Sequence, residues 1–137
     1  MNQEGQLVIF QLNDQQYALP IHQIQEIVKM TAITRVPNTR SYVEGIINLR
    51  GNIIPVINLN RRLNLPVSSY DDATRIIVVE LKGQKVGIIV DNVTEVGRYA
   101  ENEVEPPAVV GDEVDYLNGV VKKENNLWLL LNLEKVL

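Results

Sequence analysis

The sequence has no cysteine and only one histidine among its 137 residues. Without cysteine it forms neither disulfides nor thiolate metal sites, which is compatible with the cytosol. Aromatic residues are few, with one Trp, five Tyr and one Phe, and the formal net charge is -4. Proteins that bind single-stranded nucleic acid use stacked aromatic side chains in a basic groove. The composition therefore disfavours a nucleic-acid-binding protein.

The sequence also lacks long apolar runs. None approaches the roughly 18 residues that a membrane-spanning helix needs. The N-terminal stretch "MNQEGQLVIFQLND" has neither the basic region nor the long apolar region of a signal peptide. We therefore expect neither membrane insertion nor secretion.

Residues that could carry catalysis or hold a metal ion are scarce. His22 follows an apolar run and is expected to be an ordinary surface or turn residue. No serine lies in a Gly-x-Ser-x-Gly elbow, and no phosphate-binding glycine-rich loop occurs. There are two acidic clusters: Asp71 with Asp72, and Glu101, Glu103 and Glu105. Neither has the spacing of a known calcium-binding loop. We expect no enzymatic activity, no cofactor and no metal.

Short apolar runs rich in Val, Ile and Leu alternate with polar turns, which predicts a mainly β fold. Asn13-Asp14 and Lys82-Gly83 lie at hairpin spacing between such runs. Two segments, "NTRSYVEG" at 38–45 and "DEVDYLNG" at 112–119, are predicted as short helices, each ended by its glycine. Trp128, which lies between "NNL" and "LLL", is expected in the core.

The two halves of the chain resemble each other. Residues 12–27 align without a gap with 81–96, a shift of 81 minus 12, or 69, and residues 45–59 align with 119–133, a shift of 74. Alternating strands match in their apolar positions by period alone, but polar residues also match here. We predict a duplication, with a first copy at about 7–59, a second at about 76–133, and a groove between two small barrels.

With the repeat, one motif identifies a family resemblance. The stretch "GIINLRGNIIPVINL" at 45–59, with "QEI" at 25–27 and "VGIIVDNVTEV" at 86–96, resembles the CheW family of bacterial chemotaxis coupling proteins. The resemblance covers about residues 7–137, nearly the whole chain. It implies two intertwined five-stranded barrels of the Src-homology-3-like kind, with short helices.

The resemblance also implies a function. Members of this family are adaptors that join the cytoplasmic tips of chemoreceptors to the regulatory domain of the histidine kinase CheA, which has the same fold. The length leaves no room for a fused kinase or receiver domain, so we expect a free-standing cytoplasmic adaptor at membrane-associated receptor arrays. An adaptor of a chemotaxis-like system that controls surface motility or gene expression is the alternative. Whether the adaptor also assembles with itself into rings is left open by the sequence.

The resemblance places a receptor-binding groove at six positions of this sequence: Ile24, Glu26, Ile27, Gly45, Arg50 and Val96. Of these, Arg50 can form paired hydrogen bonds with carboxylates. The alternative is structural, with Glu26 and Arg50 pairing with each other, or with Glu44, to hold the lobes together. The second copy has Glu124 where the first has Arg50, which indicates a site that only the first copy needs.

Overall fold

The structure, a computed structural model, describes residues 4–106 and 116–137, and within them the chain is built mostly of strands. The strands are β1 (Glu4–Leu12), β2 (Gln15–Pro20), β3 (Ile24–Lys29), β4 (Val43–Leu49), β5 (Asn52–Asn58), β6 (Arg75–Leu81), β7 (Gln84–Val90), β8 (Asn92–Ala100), β9 (Val104–Glu105), β10 (Leu117–Lys122) and β11 (Leu127–Leu131). The helices are α1 (Leu59–Arg62), α2 (Leu133–Val136) and the 3₁₀ helices Ile21–Gln23 and Glu101–Glu103. The prediction of a mainly β fold with short helices is confirmed.

The two short helices are not where the sequence placed them. Residues 38–42 form turns, and residues 43–45 already belong to β4. In the second predicted helix, residues 116–119 form a turn and the start of β10, while 112–115 lie outside the described residues. Both predictions interpreted a glycine as a helix end. In fact a Cβ on Gly45 would lie 2.1 Å from the carbonyl oxygen of Thr34, and one on Gly119 would lie 2.8 Å from that of Glu105. These glycines permit close backbone approach inside strands.

The two α-helices begin at the asparagines that recur in the repeat. The Asn58 side chain accepts a hydrogen bond from the backbone N–H of Arg61 at 3.2 Å. The Asn132 side chain accepts one from Lys135 at 3.3 Å. Asparagine is a favoured N-cap because its side-chain oxygen satisfies an otherwise unpaired helix N–H. These polar positions therefore recur because they end a strand and start a helix.

The strands form two sheets that exchange hairpins. One sheet has six strands in the order β8-β1-β2-β11-β10-β9, and the other has five in the order β3-β6-β7-β5-β4. We call these the six-stranded and five-stranded lobes. The N-terminal hairpin β1-β2 completes the lobe built from the C-terminal strands, and β6-β7 completes the lobe built from β3, β4 and β5. The predicted intertwining is therefore confirmed, with the two-residue β9 as a sixth strand in one lobe.

Pairing follows the same register in both lobes. Phe10 pairs with Val93 in the six-stranded lobe, and Val79 pairs with Ile24 in the five-stranded lobe. Each pair maps onto the other by the shift of 69 seen in the sequence, and both lie beside a register irregularity. Because a one-residue slip would turn every side chain to the opposite face, equal register means that equivalent residues face equivalent surroundings.

The largest buried cluster is shared by the two lobes. It combines Phe10 and Leu12 from one sheet with Ile57 and Ile77 from the other. Both α-helices bury leucines in it. A smaller cluster lies under each sheet, and Trp128 is buried in that of the six-stranded lobe, as predicted. Since neither lobe closes this central core by itself, each depends on the other for its stability.

Candidate functional site

The β4-β5 hairpin carries the arginine at the centre of the predicted site. Leu49 pairs with Asn52, so Arg50 and Gly51 form a two-residue turn, with φ of 52° and 88°. Positive φ at both positions is typical of a type I′ hairpin turn. The Asn48 side chain supports the turn by accepting a hydrogen bond from the N–H of Gly51 at 2.9 Å. Left-handed backbone is uncommon for arginine and usual for asparagine, so Arg50 is not the residue that the turn favours.

Arg50 forms an ion pair with Glu26 of β3, in which Nη2 donates to Oε1. Strands β3 and β4 are the two edges of the five-stranded sheet, so this contact joins opposite edges and helps to close the sheet. A backbone bridge between Thr34 and Ile46 also joins β4 to the segment that follows β3. The hydrogen bond from Arg50 to Glu26, and then the charge of Glu26, raise the pKa of Arg50. Two thirds of the Arg50 side chain is exposed (67%), so the pair contributes little to stability.

The ion pair shows that Glu26, and not Glu44, is the carboxylate that binds Arg50. Glu44, the other partner considered for Arg50, instead accepts a hydrogen bond from Arg61 Nε at 3.2 Å. A guanidinium has five N–H donors, and the contact with Glu26 uses one of them. The pair therefore holds an exposed arginine in one place while leaving most of its donors directed to solvent.

The four remaining predicted residues are divided between the lobes. Ile24 and Ile27 lie with Glu26 on β3, where Ile24 packs against the central core and Ile27 is exposed. Val96 is exposed on β8, the corresponding edge strand of the six-stranded lobe. Gly45 is buried in β4 beneath Thr34. The structure therefore brings Glu26 and Arg50 into contact and shows Gly45 as a packing position.

The sequence did not single out two exposed apolar residues beside hairpin turns. Ile53 is 62% exposed at the start of β5, and Leu127 is 55% exposed at the start of β11. They correspond by the shift of 74. The signal that could have found them is this alignment, which puts an apolar side chain next to a polar turn in both halves of the chain. Apolar side chains exposed at the same place in both lobes suggest contact surfaces.

His22 and the acidic clusters are the candidates for a reactive or metal-binding group. His22 is exposed in the first 3₁₀ helix, as predicted. Within residues 4–106 and 116–137, no three histidine, aspartate or glutamate side chains come together to hold a metal ion. Glu103 is bound by Lys123 Nζ at 2.9 Å. No helix in the described parts of the chain is long and apolar enough to cross a membrane.

The comparison with known protein families decides the assignment. The CheW-like domain matches residues 6–137. The chain belongs to the CheW-like family. It is 38% identical over 133 residues to the chemotaxis protein CheW of Bacillus subtilis (strain 168), across 96% of this chain and 85% of that protein. It is 36% identical over 133 residues to CheW of Helicobacter pylori (strain ATCC 700392 / 26695), across 96% and 81%.

A solved CheW structure agrees with the fold. The scaffolding protein TtCheW from Thermoanaerobacter tengcongensis superposes with a TM-score of 0.89 at 39% identity, covering 95% of this chain and 90% of that one. The resemblance drawn from the "NLRG" motif and the repeat is confirmed. The two β lobes are the paired Src-homology-3-like barrels of CheW-like proteins.

Proposed function

We propose that this protein is a non-enzymatic chemotaxis adaptor that couples the cytoplasmic tips of chemoreceptors to the histidine kinase CheA in the cytoplasm. The observation that carries the proposal is the match to proteins named chemotaxis protein CheW over nearly the whole chain, together with the likeness to a scaffolding protein. The exposed ion pair and the exposed apolar residues at lobe edges also suit binding better than catalysis.

The receptor-binding groove is proposed to comprise Ile24, Glu26, Ile27, Gly45, Arg50 and Val96. Ile27 and Val96 are exposed on the edge strands of the two lobes, where an apolar stripe of a receptor helix can pack. Glu26 holds Arg50 so that its unused donors can meet a carboxylate or a carbonyl of that helix. Gly45 acts indirectly, because the absence of a side chain lets Thr34 close onto β4.

The kinase is proposed to dock at the hairpin ends marked by Ile53 and Leu127. We infer that residues of about 7–59 and 76–133 are two copies of one unit, so each lobe offers an equivalent apolar end. The regulatory domain of CheA has the same fold as the adaptors of this family. Its barrels would bind these ends of the adaptor barrels. Such contacts are small and transient singly, and they gain avidity when several occur in one array.

Co-sedimentation with a receptor cytoplasmic fragment and CheA tests the receptor site. The variants are Arg50→Asn and Glu26→Gln, with Glu124→Asn as the matched turn variant in the other lobe. Arg50→Asn introduces the residue type that a type I′ turn prefers, so the thermal midpoint should stay equal or rise. The affinity for the receptor fragment should fall at least tenfold for Arg50→Asn, which corresponds to a loss of about 1.4 kcal/mol of binding free energy. It should remain unchanged for Glu124→Asn.

The same assay separates the two proposed surfaces. Ile53→Asp should weaken binding to CheA while leaving receptor binding intact, because its side chain is already exposed and the fold does not need it. Normal receptor binding by folded Arg50→Asn and Glu26→Gln would refute the groove assignment. Unfolding of both would instead give the ion pair a purely structural role.

A further inference from the structure

The loop between β3 and β4 is held at both ends. Near its start, Thr34 and Ile46 exchange two backbone hydrogen bonds of 2.8 and 2.9 Å. At its end, the N–H of Val43 donates to the carbonyl of Arg40 at 3.0 Å. We call residues 35–42 the β3-β4 loop. A loop fixed in this way is preorganised, so it loses little conformational entropy when it binds a partner.

The β3-β4 loop curves around a hollow on the five-stranded lobe. Pro37 and Asn38 form its turn, in which Asn38 has a φ of 62°. Proline suits a turn because its φ is fixed, and asparagine because it tolerates left-handed backbone. The Thr39 hydroxyl donates to the carbonyl of Val36 at 3.2 Å, which braces the turn. The hollow has a volume of about 310 Å³, within the range of sites that bind ligands.

Positive charge lines this hollow. The lining residues include Arg35 and Arg40 but no aspartate or glutamate. Both arginines are exposed, and within residues 4–106 and 116–137 neither forms a salt bridge. In the same part of the chain, the N–H groups of residues 38–42 donate to no backbone carbonyl. The hollow therefore combines two exposed guanidinium groups with N–H donors that the backbone does not use.

The other arginines of residues 4–75 are each held by an acceptor of the protein. Arg50 and Arg61 each bind a glutamate. Arg62 and Arg75 donate to backbone carbonyls at 2.7 and 2.6 Å. In this part of the chain, only the two arginines of the hollow lack such an acceptor. That difference suits a site that a partner completes.

We propose that this hollow binds an acidic segment of a partner protein, whose carboxylates accept hydrogen bonds from Arg35 and Arg40. A guanidinium presents a planar fork of donors that matches the two oxygens of a carboxylate. Val36 and Val43 also line the hollow and are partly buried, so an apolar side chain between the acidic ones has a surface on which to pack.

Charge complementarity and the apolar lining define this occupant. Two positive charges without a negative one disfavour a basic segment, and the two valines favour a peptide over a free phosphate ion. None of these residues belongs to the proposed receptor-binding groove or to the proposed kinase ends. The proposal therefore stands or falls separately from the proposed function.

The test is an NMR titration of the full ¹⁵N-labelled chain with a peptide "EELEE" whose termini are blocked. Saturable shifts are expected at the amides of Arg35 and of residues 38–41. They should be absent with the peptide "QQLQQ", which has the same length without the charge. Arg35→Gln and Arg40→Gln should each weaken binding about fivefold, the upper end of what an exposed ion pair contributes. Added salt should weaken binding to the parent protein.

Arg98→Gln is the matched control, because Arg98 is exposed on β8 and lies outside the hollow. It should bind the acidic peptide as the parent does. The comparison of the two peptides uses the parent protein, so it does not depend on the folding of any variant.

Three results of the titration would overturn the proposal. They are the absence of saturable shifts in the β3-β4 loop, equal binding by folded Arg35→Gln and Arg40→Gln, and equally tight binding of inorganic phosphate at the same amides. A dimer in sedimentation equilibrium that Arg40→Gln abolishes would also overturn it, because the occupant would then be a second copy.

Discussion

The two lobes have the same pairing register but fill their cores differently. The five-stranded lobe places Val28 of β3 and Ile54 of β5 in its outer cluster. At the equivalent positions the six-stranded lobe has Gly97 and Trp128, and a Cβ on Gly97 would lie 2.4 Å from the indole ring. The five-stranded lobe thus fills this layer with two side chains of medium size. The six-stranded lobe fills it with one tryptophan beside a glycine, which has no side chain. Close packing fixes the total volume of such a layer and leaves its distribution free.

The surfaces of the lobes differ more than their cores. Arg50 in one hairpin turn corresponds to Glu124 in the other, and both are exposed. The backbone is therefore alike where register and core packing require it, and the lobes differ in the charge of an exposed turn residue.

The strand glycines should give the largest difference between the lobes. Gly45→Ala introduces a Cβ 2.1 Å from a backbone oxygen at a φ of +147°, and we expect a loss of about 4 kcal/mol. Gly119→Ala meets a carbonyl at 2.8 Å without that φ, and we expect about 2 kcal/mol. Urea unfolding of both variants measures the difference. Equal losses would mean that the left-handed backbone of Gly45 contributes nothing.

The core difference predicts a coupled pair in the six-stranded lobe. Gly97→Val should destabilise by about 3 kcal/mol, because its side chain overlaps the ring of Trp128. Adding Trp128→Ile, which copies Ile54, should recover more than half of that loss. A double-mutant cycle in urea gives the coupling energy. If the two losses simply add, the two residues do not share a volume and the comparison with Val28 and Ile54 is wrong.

The smallest predicted effect concerns an ion pair of the six-stranded lobe. The hydrogen bond from Lys123, and then that from the N–H of Ala100, lower the pKa of Glu103 below its ordinary value of 4.5. Because the pKa of Glu103 is lower in the folded than in the unfolded protein, the ion pair stabilises the fold fully at pH values above the unfolded pKa. This stabilisation is lost as the pH falls through the pKa of the folded protein. Glu103→Gln should therefore flatten the acid side of the stability curve.

Thermal melts of Glu103→Gln and the parent between roughly pH 3 and pH 7 measure this change. Glu124→Gln is the matched control, because Glu124 is an exposed turn residue directly after Lys123. Parallel curves for Glu103→Gln and the parent would exclude a contribution from the ion pair.

Much of this fold is predictable because its signals are local. Alternating apolar residues predict strands, and a constant shift between matching residues predicts two similar lobes. The hairpin exchange is different, because β2 pairs with β11 at the far end of the chain and no local pattern encodes that partner. The two short helices were predicted at the wrong places because glycine has two structural roles. It ends helices, and it also admits a neighbouring backbone, as Gly45 does for Thr34.

The site is predictable in part for a similar reason. The charge of Glu26 and Arg50 made their pairing one of the expected outcomes, and the structure shows it. Ile53 and Leu127 were missed because an apolar residue in a strand pattern is expected to be inside. Their exposure depends on how the assembled sheet places the first residues of β5 and β11, which the local pattern does not encode.

The hairpin exchange also constrains how a cell makes this protein. Strand β1 pairs with β8, and β2 must wait for β11, so the hairpin made first at the ribosome has both of its neighbouring strands only when nearly the whole chain has emerged. Long-range pairing of this kind slows folding and leaves unpaired edges exposed during synthesis. The five-stranded lobe has all its strands once β7 has emerged, but the central core that it shares with the other lobe also needs residues of β10, β11 and α2. We therefore expect the final packing to form in one late, cooperative step. A nascent chain would then lack Val96 of the proposed receptor-binding groove until β8 is in place.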